Sequence, residues 1–210
     1  MTQRQKIILQ AIPKCGILAD VGCDHGNIGL EALLTGRAEQ VLFCDISSPS
    51  LDKARALCID NNVTSNVEFY NIDGLGSLQC DCAVIAGMGG REIISILSFA
   101  EKLPNTLVLQ PMKNQYDLRK YLCNEYDIIT DSMFCDSKYY DCIVAVRGHC
   151  FLAEDELTFG KDNLNGNKVF CDYLEMRIEK FEKLLDNAPN TVQISQKLNK
   201  YKEIYLTIKE

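Results

Sequence analysis

ADVGCDHGNIG, residues 19–29, joins an apolar run that reaches Asp20 to a segment, Ile28 to Leu34, with helical apolar spacing. Gly16 to Val21 predicts a strand, the glycines a tight turn, and Ile28 onward the start of a helix. Metal ligation, cysteine nucleophilic catalysis and nucleotide binding all draw on Asp, Cys, His and Gly, so spacing has to decide between them. A dinucleotide fingerprint needs G-x-G-x-x-G directly after the strand. Here the glycines are Gly22, Gly26 and Gly29, and the first interval is too long. The D-x-G-x-x-x-G arrangement instead lets backbone approach a ligand with no pyrophosphate, while Asp20 and Asp24 suit a ligand that carries positive charge.

The same strand–turn–helix rhythm continues outward. QVLFCDI (40–46) predicts a second strand with Asp45 at its end, and Ser48 to Ile59 a helix opened by Ser-Pro. NVEFYNI (66–72) is a third strand, followed by Asp73-Gly74; CDCAVIAG (80–87) is a fourth, followed by Gly89-Gly90 and a helix over Glu92 to Ala100. TLVLQP (106–111) precedes a helix over Tyr116 to Glu125. Alternation at this spacing implies right-handed crossovers and a mostly parallel, doubly wound α/β sheet. YDIITDSMF (126–134) and KYYDCIVAVR (138–147) lie too close for a crossover, so they must pair antiparallel. A seven-stranded Rossmann-like sheet that ends in such a hairpin resembles the class I methyltransferases that use S-adenosylmethionine.

Beyond Leu157 the chain turns polar through GKDNLNGN, and then two apolar series recur at helical spacing: Phe170, Leu174, Ile178, Phe181, Leu185, and Ile194, Leu198, Tyr201, Tyr205, Ile208. Joined through DNAPN (186–190), they predict a C-terminal helical hairpin. The expected division is a donor-binding domain over 1–157 and a coiled-coil-like appendage over 158–210.

Composition narrows the function classes. No run approaches the ~20 apolar residues of a membrane span, and Gln10 and Pro13 interrupt the amino-terminal segment before a secretory core can form. A cytoplasmic address is the expectation. Eleven cysteines, several of them within strand-like runs, read as reduced core thiols. With Cys80 and Cys82 one residue apart and only two histidines, no metal site is expected. The net charge of −7 argues against a simple nucleic-acid binder. An RNA partner would need a local basic face, for which the candidates are Arg4, Lys6 and Lys14, then Lys113, Arg119 and Lys120, then the C-terminal lysines. Oligomeric state stays open, with a monomer favoured.

Carboxylates at successive strand ends sit where open parallel sheets bind ligands. Asp45 can accept both hydroxyls of a ribose, and Asp73 can accept from an adenine amino group, with Leu75 or Ile46 against the ring. Together DVGCDHG (20–26), IAGMGG (85–90), LVLQP (107–111) and SKYYDCIVA (137–145) resemble the bacterial tRNA (adenine(22)-N(1))-methyltransferase family, in order across about residues 5 to 150. The resemblance implies S-adenosylmethionine as donor, tRNA as partner, and methylation of N1 of an adenosine in the D-arm region. It implies a donor-binding set of Asp20, Gly22, Cys23, Gly26, Asp45, Ile46, Asp73, Gly74, Ala86, Gly87 and Met88. Asp24, His25 and Gln110 are the candidate catalytic residues, with Tyr139 or Tyr140 stacking on the base. Asp45 stands where the family pattern has a glutamate, and Met112 stands where some relatives have a polar residue. Rival readings are a methyltransferase for a small metabolite or protein, and a binding module without turnover.

Overall fold

The computed structural model describes residues 1–187 and 192–209. Five parallel strands, β1 (Cys15–Val21), β2 (Ala38–Cys44), β3 (Val67–Tyr70), β4 (Cys82–Met88) and β5 (Thr106–Pro111), join a long hairpin of β6 (Tyr126–Asp136) and β7 (Lys138–Arg147). Their spatial order is β3-β2-β1-β4-β5-β7-β6, and β7 runs antiparallel to β5. The seven-stranded sheet and its terminal hairpin agree with the sequence expectation. Chain order reverses between β1 and β4, which opens a crevice at the strands' carboxyl ends. Register makes that crevice level: Val21 lies beside both Cys44 and Ile85, so Gly22, Asp45 and Ala86 emerge side by side.

Side chains alternate across each strand and divide the core into two layers. Leu18, Val41, Phe43 and Val84 pack against α1 (Gln3–Ala11), α2 (Asn27–Leu34) and α3 (Ser48–Asp60). Ala19, Ile85, Leu107 and Leu109 face α4 (Gly90–Phe99) and α5 (Gln115–Leu122). Strands β1, β2, β4 and β5, largely buried on both faces, read as the near-continuous apolar runs of a parallel sheet, while β3 stays partly exposed.

Helix α1 was not anticipated. It begins with a capping box in which the Thr2 hydroxyl accepts from the Gln5 amide at 3.2 Å and Gln5 Oε1 accepts from the Thr2 amide at 2.9 Å. Ile8 and Ile12, each 1% exposed, dock the helix on the sheet near the crevice.

At the other end α6 (Glu154–Phe159) and a short 3-10 turn over Asn163–Asn165 lead into α7 (Lys168–Asn187) and α8 (Val192–Lys209). The C-terminal helical hairpin is present, and residues 188–190 of its DNAPN joint lie outside the described residues. Phe159, Phe170, Leu174 and Ile204 form a third apolar cluster with Tyr173 and Tyr201.

Arg119, a candidate for an RNA-facing basic patch, proves to be a core residue. It is 1% exposed, donates to both Asp131 oxygens at 2.7 and 2.9 Å and to Asp141 Oδ1 at 3.2 Å, and also reaches the carbonyls of Leu157 and Thr158. Two strand carboxylates buried in the hairpin need a cation, and α5 supplies it. Burial still pushes Asp141 up to about 6, against the opposing pull of Arg119. The guanidinium thereby ties α5, the hairpin and the segment leading to α7 into one unit.

Candidate functional site

The crevice is a cleft of about 400 Å3 lined by residues at the ends of β1 to β4 and from helices α1 and α4. Gly22, Asp24, Asp45, Ile46, Asp73, Gly74, Ala86, Gly87 and Met88 all face it, with Glu92 and Ile96 of α4. A narrower recess of about 100 Å3 continues under α1 and is lined by Asp20, Gly22, Cys23, Asp24, His25 and Ala86.

The turn after β1 owes its shape to glycine. Gly22 has φ +68°, and a Cβ there would stand 2.1 Å from the Met88 methyl. Gly26 has φ +71° and caps α2; its Cβ would meet Ala54 at 2.8 Å, so the turn can lie flat on α3 only without a side chain. Between them Asp24 also takes a left-handed conformation, φ 49°, which aspartate tolerates better than most residues.

Two carboxylates brace this backbone. Asp20 Oδ2 accepts from the Gly29 amide at 2.9 Å, and the side chain is only 4% exposed. Burial pushes Asp20 up to about 7, against that hydrogen bond and with a further push from Asp45. Asp45 accepts from the Asp24 amide at 3.0 Å and from the Ser47 amide at 2.8 Å, so its carboxylate bridges the β1 and β2 turns and keeps acceptor capacity. Asn71 donates to the carbonyls of Asp45 and Ile46 at 3.0 and 2.9 Å and fixes the loop that presents Ile46. Asp73 lies exposed at the cleft rim.

Other candidates are distributed unevenly. His25 Nδ1 lies 2.7 Å from Asp24 Oδ2, with both side chains more than half exposed at the mouth of the recess. Cys23 is 8% exposed, and burial beside Asp20 and Asp45 drives its thiol pKa up, the wrong direction for a nucleophile. Gln110 does not reach the cleft. It is fully buried at the end of β5, where Nε2 donates to the Pro111 carbonyl at 3.2 Å and Oε1 has no partner. Leu75 lies in the core, which leaves Ile46, 72% exposed, as the apolar side chain available to a flat ring. Tyr139 packs edge-on against Tyr173 of the appendage and Tyr140 stacks on Phe134, so both rings already have partners. Arg4, a candidate for a local basic face, lines both the cleft and the recess. Among the described residues no three His, Cys, Asp or Glu side chains gather as a metal site, and no helix is long and apolar enough to cross a membrane.

A nucleoside with a cationic side arm fits this construction. Glycine backbone lets it approach closely, Asp45 stands as a bidentate acceptor beside Ile46, and the recess offers carboxylates to positive charge. Such a ligand needs no pyrophosphate site, which agrees with the interval between Gly22 and Gly26.

Comparison with known proteins points the same way. Residues 1–143 match the family described as a methyltransferase domain. The tRNA (adenine(22)-N(1))-methyltransferase of Bacillus subtilis is 25% identical over 219 residues, covering 97% of this chain and 92% of its own. Among solved structures, M. capricolum TrmK in complex with S-adenosyl-homocysteine superposes with a TM-score of 0.87 at 22% identity over 99% of each chain. The B. subtilis m1A22 tRNA methyltransferase TrmK gives 0.78 at 22% identity, covering 100% of this chain and 97% of that one. These two likenesses establish the fold over its full length, C-terminal helices included.

Proposed function

The chain belongs to the methyltransferase-domain family, and from that premise we propose that it transfers a methyl group from S-adenosylmethionine to N1 of adenosine 22 in the D-arm region of tRNA. The observation that carries this reading is the carboxylate-lined cleft at the ends of β1 to β4, in a chain similar over nearly its whole length to a methyltransferase named for that reaction. The donor would supply an electrophilic methyl on a sulfonium centre. Asp45 would hold its ribose, Ile46 and Gly74 would bound its adenine with Asp73 at the amino edge, and Asp20 and Asp24 would face its positive charge.

Adenine N1 presents an in-plane lone pair at neutral pH and needs no covalent nucleophile, which suits a site whose one lining cysteine is pushed by burial away from the thiolate. The residues' task is then to align acceptor with methyl and to steady the charge that moves from sulfur onto the ring. Asp24 and His25, paired at the mouth, and the Gly87–Gly90 turn would meet the incoming base. Residues 1–157 act as the donor-binding domain and 158–210 as the appendage, in a cytoplasmic enzyme that works as a monomer.

Incubation with tritiated S-adenosylmethionine and unmodified total tRNA, followed by nucleoside analysis, tests the reading. Label should appear as 1-methyladenosine and vanish with Asp20→Ala. Label on a small metabolite or on protein instead of tRNA would overturn it.

A further inference from the structure

We propose that Arg4, on the first turn of α1, is the residue that binds the α-carboxylate of the donor's amino-acid arm. This inference rests on the reading of S-adenosylmethionine as donor. Cleft and recess share Arg4, Gly22, Asp24 and Ala86, so they form one continuous site of which Arg4 lines both parts. Around that site stand five carboxylates: Asp20, Asp24, Asp45, Asp73 and Glu92. Arg4 is the sole lysine or arginine lining it among the described residues.

The donor itself carries two cationic groups, a sulfonium and an ammonium, and one anion. The carboxylates serve the cations, but the same field repels an anion unless a fixed positive charge answers it. Arg4 is placed and unspent for that purpose. Its backbone amide donates to Asp136 Oδ2 at 2.8 Å, which pins the first turn of α1 to the β6–β7 hairpin. The guanidinium lies 5.6 Å from the Tyr140 ring centroid and pairs with no carboxylate among the described residues. Arg4 is a half-buried residue, and a guanidinium lying over an aromatic ring keeps its donors free for a ligand. The recess it overlooks also holds the start of α2, where Asn27 and Ile28 follow a glycine cap that supplies no side-chain acceptor. Those first-turn amides favour negative charge on the same side as Arg4.

Isothermal titration with S-adenosylmethionine and with its decarboxylated analogue separates the carboxylate from the rest of the molecule. Arg4→Met should weaken binding of S-adenosylmethionine by about 10- to 100-fold, the worth of one charge-assisted hydrogen-bonded pair. Binding of the decarboxylated analogue should change by less than about threefold, and Arg4→Lys should recover most of the loss, as expected for a conserved charge without the fork. Equal losses for the two ligands would overturn the proposal and make Arg4 a packing residue of α1. Unchanged binding of both would overturn it as well. Wild-type protein that binds neither ligand would instead remove the donor reading on which the inference stands.

Discussion

Asp20 provides a proton count that can be measured directly. Its carboxyl is raised from an ordinary 3.8 to about 7 because it is buried, and the push from Asp45 adds to this. Without a ligand it is therefore about nine-tenths protonated at pH 6, half at pH 7 and about one-quarter at pH 7.5. A donor that brings a sulfonium and an ammonium into the recess favours the carboxylate and expels that proton. The direction follows: affinity rises with pH up to about 7 and then levels, because below that value binding must first remove a proton. If Asp20 is fully ionised in the complex, binding is roughly eightfold tighter at pH 7.5 than at pH 6, and at pH 6 close to one proton is released. The raised pKa also acts on folding. The native state retains a proton that the unfolded chain gives up above 3.8, so stability falls by on the order of 4 kcal/mol as pH rises from about 4 to 7. Titration calorimetry in two buffers of different ionisation heat gives the proton count, and Asp20→Asn, which can still accept from Gly29, is the reference. Wild-type binding flat in pH, with no proton released at pH 6 beyond the Asn variant, would refute the reasoning.

Gly22→Ala should cost about 1–2 kcal/mol of stability for its positive φ and weaken donor binding at least tenfold, because the new methyl displaces Met88 at the cleft wall. Urea unfolding and donor titration read the two effects, and a variant that binds within threefold of wild type would contradict the close-approach role of this glycine. Arg119→Met strands Asp131 and Asp141 in the core and should lower unfolding free energy by about 3–5 kcal/mol. A loss below 1 kcal/mol by urea unfolding would mean that the guanidinium does not hold the hairpin to α5.

The strands and the edge hairpin were readable because β1, β2, β4 and β5 are largely buried apolar runs, each closed by a turn signal. The same runs draw attention to Asp20, Asp45 and Asp73, carboxylates at or just past strand ends, and all three line the cleft or its recess. Helix α1 was hidden by its polar composition, although Thr2 and Gln5 spell a capping box three residues apart. Its bearing on the site through Arg4 depends on how Ile8 and Ile12 dock, which is a tertiary property. Arg119 was misread because a lone arginine on a helix defaults to solvent. The correcting signal lay elsewhere, in Asp131 and Asp141 inside the strand runs IITDSMF and YYDCIVAV, where an unpaired carboxylate would be too costly to bury. Gln110 resembled a base-binding residue by its position near the end of β5, and only side-chain packing reveals that it is fully buried.

The central claim is methylation at one atom of one nucleotide, and a matched pair of tRNA transcripts tests it most directly. One carries adenosine at position 22 and the other guanosine at the same position, each incubated with labelled S-adenosylmethionine and digested to nucleosides. The account predicts 1-methyladenosine from the first and background from the second. Equal label in both transcripts, or none in either while the donor still binds, would contradict it.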